Sequence, residues 1–203
     1  MKKIYFFNGW GMDENILTHV LNTSEYELEI INFPYHVDLD EIKKCQSVIF
    51  IAWSFGVYYL NKFLNENRNL AYEKAIAING MIETIGEYGI NKKMFDMTLN
   101  TLSLENLLKF YRNMDIDENF KESNKKFEDI KKELKYFKDN YSLFENKLDY
   151  HIIGKYDRII PSMKQEKYCK EKNISYKILD CGHYPFSILN DFSYIIDTKK
   201  NEE

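Results

Sequence analysis

The run from Ser47 to Leu60, Ser-Val-Ile-Phe-Ile-Ala-Trp-Ser-Phe-Gly-Val-Tyr-Tyr-Leu, constrains the fold more than any other stretch. Its first part, Val48 to Ala52, is short, β-branched and aromatic, with no polar alternation. That is the pattern of a strand covered on both faces. Its second part places Val57, Leu60 and Leu64 on one side of a helix. Only Trp53-Ser54-Phe55-Gly56 joins the two. A chain that passes so abruptly from a doubly buried strand into a helix is expected to build an α/β sheet rather than a bundle or a sandwich.

The same join has chemical consequences. A tight strand-to-helix turn lifts the serine hydroxyl above the sheet edge, and the helix start offers unpaired N–H groups and the positive end of its dipole to an oxyanion. This is the pattern of the nucleophile elbow, small-x-Ser-x-small. Ala52 occupies the first small position, usually Gly, and Gly56 the second. A plainer alternative is that Ser54 merely caps the helix that follows.

Other segments repeat the alternation. Strands are expected at Lys3–Phe7, Leu28–Phe33, Val48–Ala52, Lys74–Ile78, Leu148–Ile153 and Ser175–Leu179. Helices are expected after Asp13 (Ile16, Leu17, Val20), at Leu39–Lys44, after Ser54, at Ser162–Glu171 and from near Asp191, with a polar, frayed tail past Asp197. This order implies a mostly parallel sheet with helices on both faces, whose functional loops lie at the carboxyl ends of the strands. Between residues 86 and 146 the strand pattern stops. Leu104, Leu107, Leu108 and Tyr111 form one helical stripe and Phe127, Ile130, Leu134, Phe137 and Tyr141 another. Two to four inserted helices are expected there, their stripes serving as packing surface, so that residues 1–85 and 147–203 form a core and 86–146 an inserted helical lid.

Composition narrows the class. Hydrophobic residues make up 44% of 203, enough for one packed domain, and a net charge of −4 gives no support for a nucleic-acid partner. Cys45, Cys169 and Cys181 have no paired or metal-ligand spacing, so no disulfide framework, metal or cofactor is expected, and cytoplasmic residence is the simplest reading. Met1-Lys2-Lys3 looks like the start of a signal peptide, but the apolar run after it is far too short, and no stretch has the length of a membrane span. A monomer is expected.

Three polar residues fall at expected strand ends: Ser54, Asp157 and His183. A serine hydroxyl needs a base beside it. A histidine can take its proton, and a carboxylate can hold the imidazole in the right tautomer. Taken singly, His183 could be an ordinary loop residue and Asp157 a helix cap or a partner of Arg158. Asp180, a rival acid, more plausibly caps a turn. His19, His36 and His151 are taken as structural. Two N–H donors would complete the site, from Phe55 after the serine and from Trp10 in the Gly9-Trp10-Gly11 loop. Trp10 could equally be a core aromatic, since only its backbone is used.

The segments Phe7-Asn8-Gly9-Trp10-Gly11-Met12-Asp13, Ala52-Trp53-Ser54-Phe55-Gly56, Gly154-Lys155-Tyr156-Asp157 and Gly182-His183-Tyr184-Pro185-Phe186 resemble the pimeloyl-acyl-carrier-protein methyl ester esterases of biotin synthesis. The resemblance is to the short BioG type rather than the larger enzyme with a His-Gly-Trp-Gly motif, because Asn8 stands in place of that histidine. It implies an α/β-hydrolase fold with a small helical lid and hydrolysis of a methyl ester. Ser54 would be nucleophile, His183 base and Asp157 its orienter, with Trp10 and Phe55 as oxyanion donors. The substrate would ride on an acidic carrier protein. Residues 121–138 hold seven lysines against Glu122, Glu128, Asp129 and Glu133, and Arg112 lies nearby. Arg112, Lys121 and Lys125 are therefore candidate docking residues, although a solvated helix face explains the same charges. Two alternatives stay open: an esterase or thioesterase acting on another acyl group, and a non-catalytic acyl-binding protein.

Overall fold

A computed structural model describes residues 1–197. The expected tail past Asp197 lies outside the described residues. Six strands form one sheet in the order β2-β1-β3-β4-β5-β6: β1 (Lys2–Phe7), β2 (Glu27–Ile31), β3 (Ser47–Trp53), β4 (Lys74–Ile78), β5 (Tyr150–Gly154) and β6 (Ser175–Leu179). Every pairing is parallel, with Phe7 opposite Ala52 and Trp53 opposite Ile78. The chain winds outward from β1 to β2, then returns past β1 to continue through β3. That reversal makes the gap beyond the carboxyl ends of β1 and β3 a topological switch point.

Alternation along β1 sends successive rings to opposite faces. Phe6 packs edge-on against Phe186 and Phe192, the latter in α7 (Phe192–Ile196). Phe7 packs against Tyr35 and against Phe63 of α2 (Phe55–Glu66). The inner strands are thus covered on both sides, as their unbroken apolar runs require. The short α1 (Leu39–Ile42) is capped by Asp38, which accepts from the Asp40 and Glu41 amides, and α6 (Ser162–Lys172) joins β5 to β6.

Three local expectations are corrected. The helix after Asp13 is a single 3-10 turn, Glu14–Leu17, because the chain must reach Leu21 to pair with the loop before α7, where Leu21 N–H donates to Asn190 at 2.8 Å. Strand β2 stops at Ile31 rather than Phe33, since the Asn32 carbonyl turns to accept from Tyr35 N–H at 2.7 Å. The stripe on α4 is only half covered: Leu107 and Tyr111 are buried, but Leu104 and Leu108 are 63% and 42% exposed.

Between β4 and β5 lie α3 (Lys92–Asn100), α4 (Leu104–Asn113) and α5 (Phe127–Asn140). Phe137 of α5 sits among Phe55, Tyr58 and Tyr59 of α2 and Phe95 of α3, with ring centroids 4.5 to 5.9 Å apart. These buried aromatic contacts tie α5 to the helix that follows Ser54.

Candidate active site

Ser54 occupies the sharp join between β3 and α2, with φ 56° and ψ −123°. That backbone is strained for a residue with a Cβ, and it persists only where packing enforces it. Gly56 is the enforcement: a Cβ there would lie 2.1 Å from the Phe7 carbonyl oxygen, so only glycine lets α2 start this close to β1. The Ser54 hydroxyl makes no capping bond to its helix. It points instead at His183 Nε2, 2.9 Å away, which removes the plain N-cap alternative.

His183 Nδ1 lies 2.9 Å from Asp157 Oδ2, and both side chains are fully buried. Asp157 Oδ1 accepts from the Ile159 and Ile160 amides at 2.8 and 2.9 Å, and Oδ2 also accepts from Gln165 Nε2 at 3.1 Å. Oδ2 is thereby aimed at the imidazole and accepts the hydrogen bond donated by Nδ1–H. Nε2 is then the free acceptor facing the serine O–H. Of the two structural alternatives for Asp157, the cap holds in part, since it does cap the turn before α6; among the described residues it forms no ion pair with Arg158, and the same carboxylate orients the imidazole.

The loop bearing His183 is fixed from its backbone. Its carbonyl accepts from Trp53 Nε1 at 2.9 Å and from Asn79 Nδ2 at 3.0 Å. Asn79 also binds the Gly182 carbonyl at 2.9 Å, while its Oδ1 accepts from the Gly154 amide. Asn79, at the end of β4, therefore joins the ends of β5 and β6. Trp53, Asn79 and Gln165 were not singled out in the sequence. Position just past a strand end was the only signal available for Asn79, and a glutamine in a helix carried none.

The expected oxyanion loop reaches the same place. A Cβ at Gly9 would stand 3.3 Å from Ser54 Cβ, and the Trp10 and Phe55 rings are 6.3 Å apart. Among the described residues no hydrogen bond engages the main-chain N–H of Trp10 or Phe55. Asn8 is buried. It binds the Asp13 carbonyl and Asn32 Oδ1 through Nδ2 at 2.8 and 2.9 Å, and Oδ1 accepts from Gly9 N–H. It thus holds the loop closed on itself.

Other sequence candidates are placed elsewhere. Asp180 caps no turn; its exposed carboxylate pairs with Lys155 at 3.2 Å. His151 is buried in β5, its Nε2 without a partner, and burial holds its pKa down to about 4. His19 meets the Phe186 carbonyl and the Tyr184 hydroxyl, and His36 is exposed. Arg112 and Lys121 are exposed, but Lys125 turns inward: its Nζ lies 3.2 Å from Glu133 Oε2 and its side chain is only 20% exposed. Lys125 is thus corrected from a surface cation to half of a buried ion pair. All three cysteines are free. Among the described residues, no His, Cys, Asp and Glu group could hold a metal ion, and no helix is long and apolar enough to cross a membrane.

Comparison with solved structures gives the fold. A BioG protein from Haemophilus influenzae superposes with a TM-score of 0.84 at 22% identity, covering 97% of this chain and 95% of that one. The carboxylesterase CesB from Bacillus subtilis superposes at 0.61, with 9% identity over 96% of this chain and 80% of that one. An esterase from Exiguobacterium antarcticum also reaches 0.61, at 13% identity over 92% and 86%. These place the chain in the α/β-hydrolase fold. In sequence, it is 33% identical over 208 residues to a malonyl-[acyl-carrier protein] O-methyltransferase from Bacteroides fragilis strain 638R. That match takes in 93% of this chain, which spans about 40% of the relative's length. The model of the family described as pimeloyl-ACP methyl esterase BioG matches residues 1–195, and the chain belongs to that family.

Proposed function

We propose that this chain is a serine carboxylesterase that hydrolyses the methyl ester of pimeloyl-acyl-carrier protein in biotin synthesis. The observation that carries the reading is the relay Ser54–His183–Asp157, with both links at 2.9 Å and the serine held off its own helix. Family membership supplies the substrate class. The longer relative lends support from the opposite chemistry, being named for putting a methyl group on an acyl-carrier-protein substrate.

In the proposed cycle Ser54 Oγ attacks the ester carbonyl while His183 Nε2 takes its proton. The carbonyl oxygen becomes an oxyanion between the N–H groups of Trp10 and Phe55. His183 returns the proton to the methoxy oxygen as the C–O bond breaks, and methanol leaves. Water, deprotonated by the same imidazole, then attacks the acyl-enzyme and frees the carboxylate and Ser54. Asp157 stabilises the imidazolium in both halves without itself taking a proton.

The carrier protein would dock on the inserted helices. Lys132, Lys135 and Lys138 are already paired with Asp129, Asp139 and Asp96. Lys93, Lys121, Lys126 and Lys131 make no ion pair among the described residues, and with Arg112 they are cations available to an acidic partner. A monomer with three free thiols suits a reducing compartment such as the cytoplasm.

The direct test is methanol release from pimeloyl-acyl-carrier-protein methyl ester, with Ser54→Ala as control. A loss on the order of 10⁴-fold or more is expected. A variant that keeps the wild-type rate would end the reading. Comparable rates on unrelated acyl esters would leave an esterase but remove the named substrate.

A further inference from the structure

Glu133 is a buried carboxylate that the relay does not use. It lies on α5, only 2% exposed, with Oε2 paired to Lys125 and Oε1 without a hydrogen-bond partner. A half-satisfied buried carboxylate is costly, and an apolar residue would suit a purely structural helix better. Its position suggests what it is for.

Helix α5 and the strap before it are bonded at several points to the loop that carries Trp10. The Trp10 indole N–H donates to the Ile130 carbonyl at 2.8 Å. The Ile130 side chain lies so close to Gly11, whose φ is +71°, that a Cβ there would be 3.0 Å from its Cγ2. Asn15 Nδ2 donates to the Glu122 carbonyl at 2.9 Å, and the Asn124 amide to Asp13 Oδ2 at 2.7 Å. Glu133 follows Ile130 by three residues and so shares its helix face. The Gly11 amide is near enough to favour the ionised carboxylate, though it makes no full hydrogen bond to Oε1.

We propose that Glu133 is a positioning residue: from α5 it draws the Gly11 amide and, with the Ile130 carbonyl, sets the attitude of the Trp10 main chain beside Ser54. This rests on the esterase reading for its catalytic meaning, but the coupling itself is physical and separately measurable. On this view α5 is a brace for the oxyanion loop rather than part of a freely swinging lid.

The groups facing Glu133 define how it responds to pH. They are Lys125 from the strap, Tyr35 from the loop after β2, Tyr59 from α2, Tyr111 from α4, and the Gly11 amide. Among them only Lys125 brings positive charge, and the Tyr59 hydroxyl has no partner. Burial outweighs Lys125 and lifts the Glu133 pKa to about 7. Above that pH the carboxylate pulls on Gly11; below it the pull is lost.

The test uses the full chain and two readouts. In amide and indole NMR spectra of the Ser54→Ala protein, the Gly11 amide and Trp10 indole signals are expected to titrate with a midpoint near 7, and to lose that step in Glu133→Gln. In the active chain, hydrolysis of a small p-nitrophenyl ester is compared between wild type and Glu133→Gln at each pH, so that pH effects common to both proteins cancel in the ratio. The kcat ratio is expected at or below about twofold at pH 6, rising to about tenfold at pH 8.5, with KM within twofold; removing an oxyanion donor altogether costs about a hundredfold or more. Signals that titrate alike in both proteins, or a kcat ratio independent of pH, would overturn the proposal while leaving the esterase reading intact. Should the wild type hydrolyse no ester, the Gly11 step and its loss in Glu133→Gln would still uphold the coupling.

Discussion

At the residue scale the site depends on a few positions where no other side chain fits. Gly56 is one. Adding a methyl group would force the β3–α2 join away from Phe7, so Gly56→Ala is expected to cost more than about 4 kcal/mol or to prevent folding, as measured by urea denaturation. Gln165 is another kind of constraint. Its Nε2 binds Asp157 Oδ2 and, at 2.7 Å, the Ile160 carbonyl. Gln165→Leu removes a donor from the buried carboxylate, and kcat on a small ester is expected to fall about tenfold with KM little changed. Glu133 has a separate signature in stability. Its pKa rises from 4.5 to about 7 on folding, so the folded state holds the extra proton between those values. Stability from this source is complete below pH 4.5 and is lost as pH rises through 7, by about 3 kcal/mol. Urea melts of wild type and Glu133→Gln are expected to diverge by that order between pH 5 and 8, with the wild type losing ground.

At the element scale the inner strands β1, β3 and β4 were legible because their apolar runs are unbroken, and β4 and β6 begin and end where the sequence pattern puts them. The element after Asp13 was misjudged because Ile16, Leu17 and Val20 satisfy a helical period, yet the bridge from Leu21 to Asp191 leaves room for one turn only. Strand β5 carries a property that no periodicity reveals. His151 is buried there between the pairings to Ala77 and Tyr176, and its pKa falls from 6.5 to about 4. The folded state then binds fewer protons than the unfolded chain in that window. Stability is complete above pH 6.5 and is lost as pH falls through 4, again by about 3 kcal/mol. The slope of urea stability against pH between 6.5 and 4 is expected to flatten in His151→Leu.

At the scale of the whole molecule the inserted helices touch both halves of the site. Helix α5 grips the Gly9-Trp10-Gly11 loop through Ile130. The turn after α4 lies against the loop of His183, where Tyr184 N–H donates to the Met114 carbonyl at 2.8 Å and Asp115 fills the space beside Gly182. Ser54 is only 4% exposed in this arrangement, so on the proposed function an acyl chain would enter where the insertion yields. On the proposed function, the half-exposed stripe of α4, with the exposed Arg112 in its last turn, is the surface an acidic carrier would meet. Reversing Arg112 and Lys121 together to Glu is expected to raise KM for the carrier-linked ester about tenfold. KM for a small ester should stay unchanged, and the difference should shrink at high ionic strength. Equal effects on both substrates would refute docking at that surface.

Local order in the chain was enough for the parallel α/β architecture and for three strand-end residues able to form a relay, because apolar period, small residues at the turn and polar residues at strand ends are properties of neighbours in the chain. What it could not supply were the partners brought in from afar: Asn79 and Trp53 under the His183 carbonyl, Gln165 behind Asp157, and Glu133 under Gly11. It also misplaced Lys125, whose charge reads as surface until a buried carboxylate is found beside it. Burial and the direction of a side chain follow from how distant segments pack, here from the parallel sheet and from α5 lying on the loop beside Ser54.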